Sequence, residues 1–140
     1  MAQLGNVRRA YIAAGSTGTP TAWLTGEQTN SFNRTAEAIE VSDKSTVWAQ
    51  FISGKRGATA EVTVYVDDTD AQQKAVLNAL HEGTNVRVFI GVLSGSSPSQ
   101  GDVFTAVVTA VSDTNDNGSV ATRSISLTAT GAVTHYPSLT

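Results

Sequence analysis

Gly57-Ala58-Thr59-Ala60-Glu61-Val62-Thr63-Val64-Tyr65-Val66 runs directly into Asp67-Asp68-Thr69-Asp70, and the reading of this stretch decides the fold class. Ala58, Ala60, Val62, Val64 and Val66 fall on one side of a period-2 pattern, and Thr59, Glu61, Thr63 and Tyr65 on the other. That alternation specifies a half-buried β-strand. The acidic run then opens a helix, about 69–82, whose apolar positions Ala75, Val76, Leu77, Ala79 and Leu80 form one stripe. Thr69 with Gln72 has the spacing of a capping box. Asp70 stands at the positive end of the helix dipole and His81 near the negative end. Gly83 suits the left-handed position that closes a helix. Strand periodicity resumes at Val86, Val88, Ile90 and Val92. The expected class is mainly β, a β-sandwich or barrel with one peripheral helix.

Outward from this centre, the N-terminal side reads as an arm over about 1–7, a strand from Arg9 to Ala14 and a turn-rich break from Gly15 to Pro20. Short β-like pieces follow around Trp23-Leu24, Phe32 and Ile39-Val41. Residues 42–57 fit neither period, mixing charge, two aromatics and glycines. They read as a long loop, a kind of segment that in compact domains is usually functional or mobile. On the C-terminal side, strands are expected at 85–93, 102–112 and 119–130, with a loop from Leu93 to Gly101. Asn117-Gly118 signals a hairpin, because both central residues of a type I′ turn need positive φ. In the last strand Ile125, Leu127 and Ala129 face one way. Thr122, Ser124, Ser126, Thr128 and Thr130 face the other, a small, polar, β-branched surface suited to water or a partner. The chain contains 19 threonines, a β-surface composition. Residues 132–140 read as a C-terminal tail.

The 140 residues fit one domain. With no cysteine, disulfides, thiolate metal sites and cysteine nucleophiles are excluded. A net charge of −3 argues against gripping nucleic acid through phosphate neutralisation. The apolar stretch Tyr11-Ile12-Ala13-Ala14 after Arg8-Arg9 is too short for a secretory core of about 7–15 residues. No nucleophile elbow, zinc-protease helix motif or phosphate loop is present, so no catalytic residue is assigned. His81 and His135 have no metal-binding spacing. Asp113-Thr114-Asn115-Asp116-Asn117-Gly118 resembles half of a calcium loop, but its twelfth position is Ser124 rather than glutamate and its flanks are strands. It is read as a turn, and neither metal nor cofactor is expected. Gly54-Lys55-Arg56-Gly57 is a small basic turn. Trp48 and Phe51 are either a contact surface or part of the core.

The run from Glu37 to Trp48, then Ile52-Ser53-Gly54, then strand, helix, Gly83 and the closing strands ending in Leu127-Thr128-Ala129-Thr130-Gly131, resembles the major tail (tail tube) proteins of long non-contractile-tailed bacteriophages. The resemblance spans roughly residues 8–133 and lies in the order and spacing of the motifs. It implies a structural, non-enzymatic subunit that forms hexameric rings stacked into a hollow tube. One sheet of each subunit would line the lumen by joining its neighbours. It implies residence in the virion tail, assembly in the host bacterial cytoplasm, and as partners a tape-measure protein, tail tip and terminator proteins, and double-stranded DNA in transit. On this reading 42–57 is a stacking loop, with Asp43, Lys44, Trp48, Lys55 and Arg56 as inter-ring contact candidates. Glu27, Glu37 and Glu40 are acidic candidates for the lumen or the ring interface, in a ring carrying six times −3, or −18. The rival expectations are a monomeric β-sandwich module binding carbohydrate or a cell surface, and the inner-tube protein of a contractile injection or secretion apparatus. Aromatics make up only 6% of the chain, which weighs against a sugar-stacking module.

Overall fold

Six strands and one helix follow in the order β1 (Arg9–Ala14), β2 (Glu27–Glu40), β3 (Phe51–Tyr65), α1 (Ala71–Glu82), β4 (Asn85–Ser94), β5 (Ser97–Thr114) and β6 (Thr122–Tyr136). The structure is a computed structural model and describes residues 8–15, 18, 20–45, 47–95 and 97–137. The expected arm at 1–7 lies outside the described residues. All strands join one antiparallel sheet in the order β1-β4-β5-β6-β3-β2. The mainly β class with a single helix is as expected.

The alternation of the decisive stretch is reproduced in the packing. Ala58, Ala60, Val62 and Val64 are buried, while Thr59, Glu61 and Tyr65 are exposed. On β6, Ile125 and Leu127 complete the same buried face opposite Val62 and Ala60. The sheet curls until its ends meet. Phe32 of β2 stacks on Phe104 of β5, with ring centroids 4.9 Å apart, a geometry that adds about 1 kcal/mol beyond area burial. The segment 22–24 runs along β1, where Leu24 N–H donates to the Ala10 carbonyl and Ile12 N–H to the Ala22 carbonyl. Val76 and Ala79 of α1 enter the same core, so the helix plugs the curled sheet with its predicted stripe.

Several boundaries differ from expectation, and those of β2 and β3 differ for one physical reason. Period-2 patterning is imposed by burying one face, and strands exposed on both faces lack it. β2 is a single strand rather than short pieces, and β3 begins at Phe51, within the expected long loop. The connecting segment is therefore 41–50, and Ile39 pairs with Ile52 and Glu40 with Phe51. In addition, β5 begins at Ser97, inside the expected 93–101 loop, and β6 continues through the first part of the expected tail to Tyr136, with Val133 and Tyr136 packed against the body.

Two local devices also differ. Thr69 does not cap the helix. Its N–H and hydroxyl both donate to Asp67 Oδ1, at 3.0 and 2.6 Å, and these bonds hold the Asp67 carboxyl below its ordinary pKa. A carboxylate two residues back outcompetes a helix N–H for the hydroxyl. Asp70 takes the N-cap position without a side-chain cap, because its carboxylate accepts the Thr25 N–H at 3.1 Å. Gly83 closes α1 at φ 72° as expected. The β5–β6 connection is not a two-residue type I′ turn. Gly118 has φ 84°, but no described non-glycine residue has positive φ, and the strands end at Thr114 and Thr122.

Candidate assembly surfaces

A sheet in water must end in edges, and among the described residues two open stretches of this one, on β5 and β2, lie where a second copy can pair. β4 pairs with β5 only as far as Asn85↔Val107. Beyond that, residues 108–114 of β5 hydrogen-bond to β6 alone among the described residues. β2 pairs with β3 on one side. At its start, the outer side is braced to β1: Asn30 Nδ2 donates to the Arg8 carbonyl at 3.1 Å, and Glu27 Oε2 accepts the Ala10 N–H at 2.9 Å. From Ser31 onward no backbone hydrogen bond reaches that side among the described residues. Long open edges invite pairing with another chain.

The face of β5, β6, β3 and β2 turned away from the core is mostly small and polar, with Tyr65 and Val107 as exposed large apolar residues. Register places Ser31 beside Glu61 and Ser126, Asn33 beside Thr59 and Thr128, and Ser112 beside Ser124 and Thr63. Glu61 is the only charged residue in these rows, and its carboxylate accepts from Ser126 Oγ. Sequence reasoning placed Glu61 on the polar side of its strand but did not single it out. Its position in the alternation was the available signal.

The outer parts of β2 and β3 form an arm exposed on both faces. It carries an apolar patch: Trp48 is 84% exposed and Val47 95%, with Ile39, Val41, Phe51 and Ile52 also exposed. Trp48 and Phe51 therefore do not fold back onto the core. Lys44, Lys55 and Arg56 are exposed along the same arm, as are Glu37 and Glu40. Asp43 accepts the Ser45 N–H and hydroxyl and shapes the tip. The structure thus brings Asp43, Lys44, Trp48, Lys55 and Arg56 onto one projection, together with Glu37 and Glu40. Glu27 lies apart from them, as the brace to Ala10 and Asn30.

Two buried polar clusters hold the frame of this projection. Where the arm leaves the body, Asp102 of β5 is buried and accepts from Arg34 Nη1 at 2.8 Å, with His135 Nδ1 at 2.9 Å. At the opposite end, Arg123 is buried and donates to Asp113 at 2.7 Å, to Gln73 Oε1 at 2.9 Å and to Asp68 at 3.3 Å. The hydrogen bond from Arg123 to Asp113 raises the Arg123 pKa against its burial, with Asp68 adding to the effect. Gln73 completes the set by donating to the Thr25 and Tyr65 carbonyls. Asp113 lies at the end of β5 rather than in the expected turn, and it is bound by a guanidinium. Arg123→Ala leaves Gln73 Oε1 with only the Asp67 N–H and Asp113 without its cation. Unfolding in urea is expected to show a loss of about 3 kcal/mol. A midpoint unchanged from wild type would mean that the network is dispensable.

No protein-family model matches the sequence, and no curated protein does. Solved structures do match. A chain of the tail of an empty gene transfer agent particle, determined with helical refinement and C6 symmetry, has a TM-score of 0.79 at 16% identity, covering 96% of this chain and 98% of that one. A chain of the SPP1 tail tube has a TM-score of 0.74 at 18% identity, covering 91% and 76%. A chain of the anti-feeding prophage baseplate has a TM-score of 0.70 at 12% identity, covering 98% of both. The fold is that of tail tube proteins.

Proposed function

We propose that this chain is the structural subunit of a bacteriophage tail tube, closing into rings by extending its sheet and stacking the rings through the β2–β3 arm. The observation that carries this reading is the pair of open edges. β5, β6, β3 and β2 alternate in direction, and their number is even, so β2 runs antiparallel to β5. Residues 108–114 of a second copy can therefore continue the antiparallel ladder along β2. The contact is head-to-tail, and such contacts close into rings when the rotation allows. A sixfold ring, as in the gene transfer agent tail, consumes every such edge.

The small polar face then becomes the lumen. Without Lys or Arg in its central rows, it offers phosphates no counterion release, so double-stranded DNA passes without being held. Glu61 is the lumen carboxylate, and the tape-measure protein occupies the same channel before DNA. Asp43, Lys44, Trp48, Lys55 and Arg56, with Glu37 and Glu40, form the inter-ring contact. The subunit resides in the virion tail after assembly in the bacterial cytoplasm, meets tip and terminator proteins at the tube ends, and is not an enzyme. The likeness to an anti-feeding prophage baseplate chain supports a second reading, the inner tube of a contractile apparatus, built by the same edges.

Negative-stain microscopy of concentrated protein, alone and with sonicated tube fragments as seeds, tests the reading. Rings or hollow tubes are expected. Protein that stays monomeric under both conditions would refute it.

A further inference from the structure

We infer that the groove between the starts of β1 and β2 is the socket in which the β5–β6 turn of a second copy seats when a ring closes. This rests on the ring reading and goes one step further, assigning charges to the seam. The groove is lined by Arg8, Arg9, Trp23, Gly26, Gln28 and Thr29, together with Glu27 and Asn30. Glu27 is the only acid among its described lining residues, and that carboxylate accepts from Ala10 N–H and Asn30. Two arginines, Arg8 and Arg9, against that one carboxylate leave the described lining net positive. Arg9 is exposed and lies over the half-exposed Trp23 ring, 4.8 Å from its centroid. Arginine stacked on an aromatic keeps its N–H fork free for a carboxylate.

The partner follows from position. Tyr65 N–H donates to the Gly26 carbonyl and Val66 N–H to the Ala121 carbonyl, so the start of β2, the end of β3 and the start of β6 lie at one end of the molecule. The last residues of β5 pair with the first of β6 and share that end. Laying residues 108–114 of a neighbour along β2 brings the neighbour's 115–121 turn to the groove. That turn carries Asp116, exposed and without a side-chain partner among the described residues, beside Asp113, whose side chain is 40% exposed. A cationic groove on one copy thus meets an anionic turn on the next. Complementary charge of this kind fixes register and rejects wrong contacts.

A charge exchange tests the socket. Arg9→Glu protein sets the introduced carboxylate against Asp116 of the next copy. Asp116→Lys protein sets the introduced ammonium against Arg9. Each variant alone therefore places like charges in every seam. Mixed in equal amounts and alternating around a ring, the two restore opposite charges in every seam. By light scattering and microscopy, each variant alone is expected to need at least about tenfold more protein than wild type to assemble. The mixture is expected to assemble near the wild-type concentration. Circular dichroism confirms folding, and Asp116→Lys, on an exposed turn, carries the single-variant arm if Arg9→Glu melts early. Single variants that assemble like wild type, or a mixture no better than its components, would overturn the socket. Wild-type protein that never assembles would instead overturn the ring reading on which the socket stands.

Discussion

Trp48→Ala is expected to yield protein that folds normally and closes into rings that no longer stack into tubes. The ring is 84% exposed, so its removal takes almost nothing from the core, and stability changes by no more than about 0.5 kcal/mol. In an interface the same side chain is a different quantity. A buried tryptophan covers about 150–250 Å², and truncating one at the centre of a contact typically costs about 2 kcal/mol or more, roughly thirtyfold in each association step. Every subunit of a ring contributes the same contact to the next ring, so the losses multiply along the tube. Sedimentation or turbidity at matched concentration reads the assembly, and thermal melting of the same samples reads the fold. A large fall in melting temperature, with normal polymerisation of what remains folded, would show that the indole serves the fold and not the stack.

The arm bearing Trp48 also marks the limit of what the sequence discloses. The strand 58–64, the helix and its glycine stop, and the two faces of 122–130 were legible because each buries one side and exposes the other, and burial writes a period into the residues. The arm buries neither side in the folded chain, so Glu37 to Glu40 and Phe51 to Arg56 carry no alternation even though they are paired strands. Its isoleucines, valines and tryptophan stand exposed in a single copy, and the proposed stacking of rings would cover them. The polar networks were hidden for another reason. Arg123 and Gln73 come together across 50 residues of sequence, and nothing local distinguishes a buried arginine on a strand from an exposed one. Asp67 took the Thr69 hydroxyl from the expected capping box through a competition decided by geometry rather than composition. Glu61 was readable as a polar-face residue, but its solitude became visible only when register aligned four strands.

Gly101→Ala is expected to have the opposite signature from Trp48→Ala, with most of the stability lost while any protein that still folds keeps its capacity to assemble. Gly91 and Gly101 face each other in the β4–β5 ladder. Both have positive φ, 156° and 137°, a region that non-glycine residues occupy at a cost of about 1–3 kcal/mol. A Cβ on Gly101 would fall 2.2 Å from the Ile90 carbonyl oxygen and 2.7 Å from the Gly91 Cα, and one on Gly91 would fall 2.0 Å from the Gln100 carbonyl oxygen. These atoms are backbone and cannot rotate aside. Nor can β4 retreat, since its other edge pairs with β1 through Arg9↔Gly91. Strain and overpacking together reach about 3–5 kcal/mol, a large share of the roughly 5–15 kcal/mol that holds a domain together. Gly54→Ala is the matched control. Its Cβ would meet Ile39 Cδ1 at 2.9 Å and Glu37 Cβ at 3.2 Å, side-chain atoms of an exposed arm that can shift aside, so its urea midpoint should stay near wild type while that of Gly101→Ala collapses. Equal midpoints for the two variants would mean that the β4–β5 crossing can open to admit a methyl group, and that the tight approach of these strands is not what shapes the body from which the arm projects.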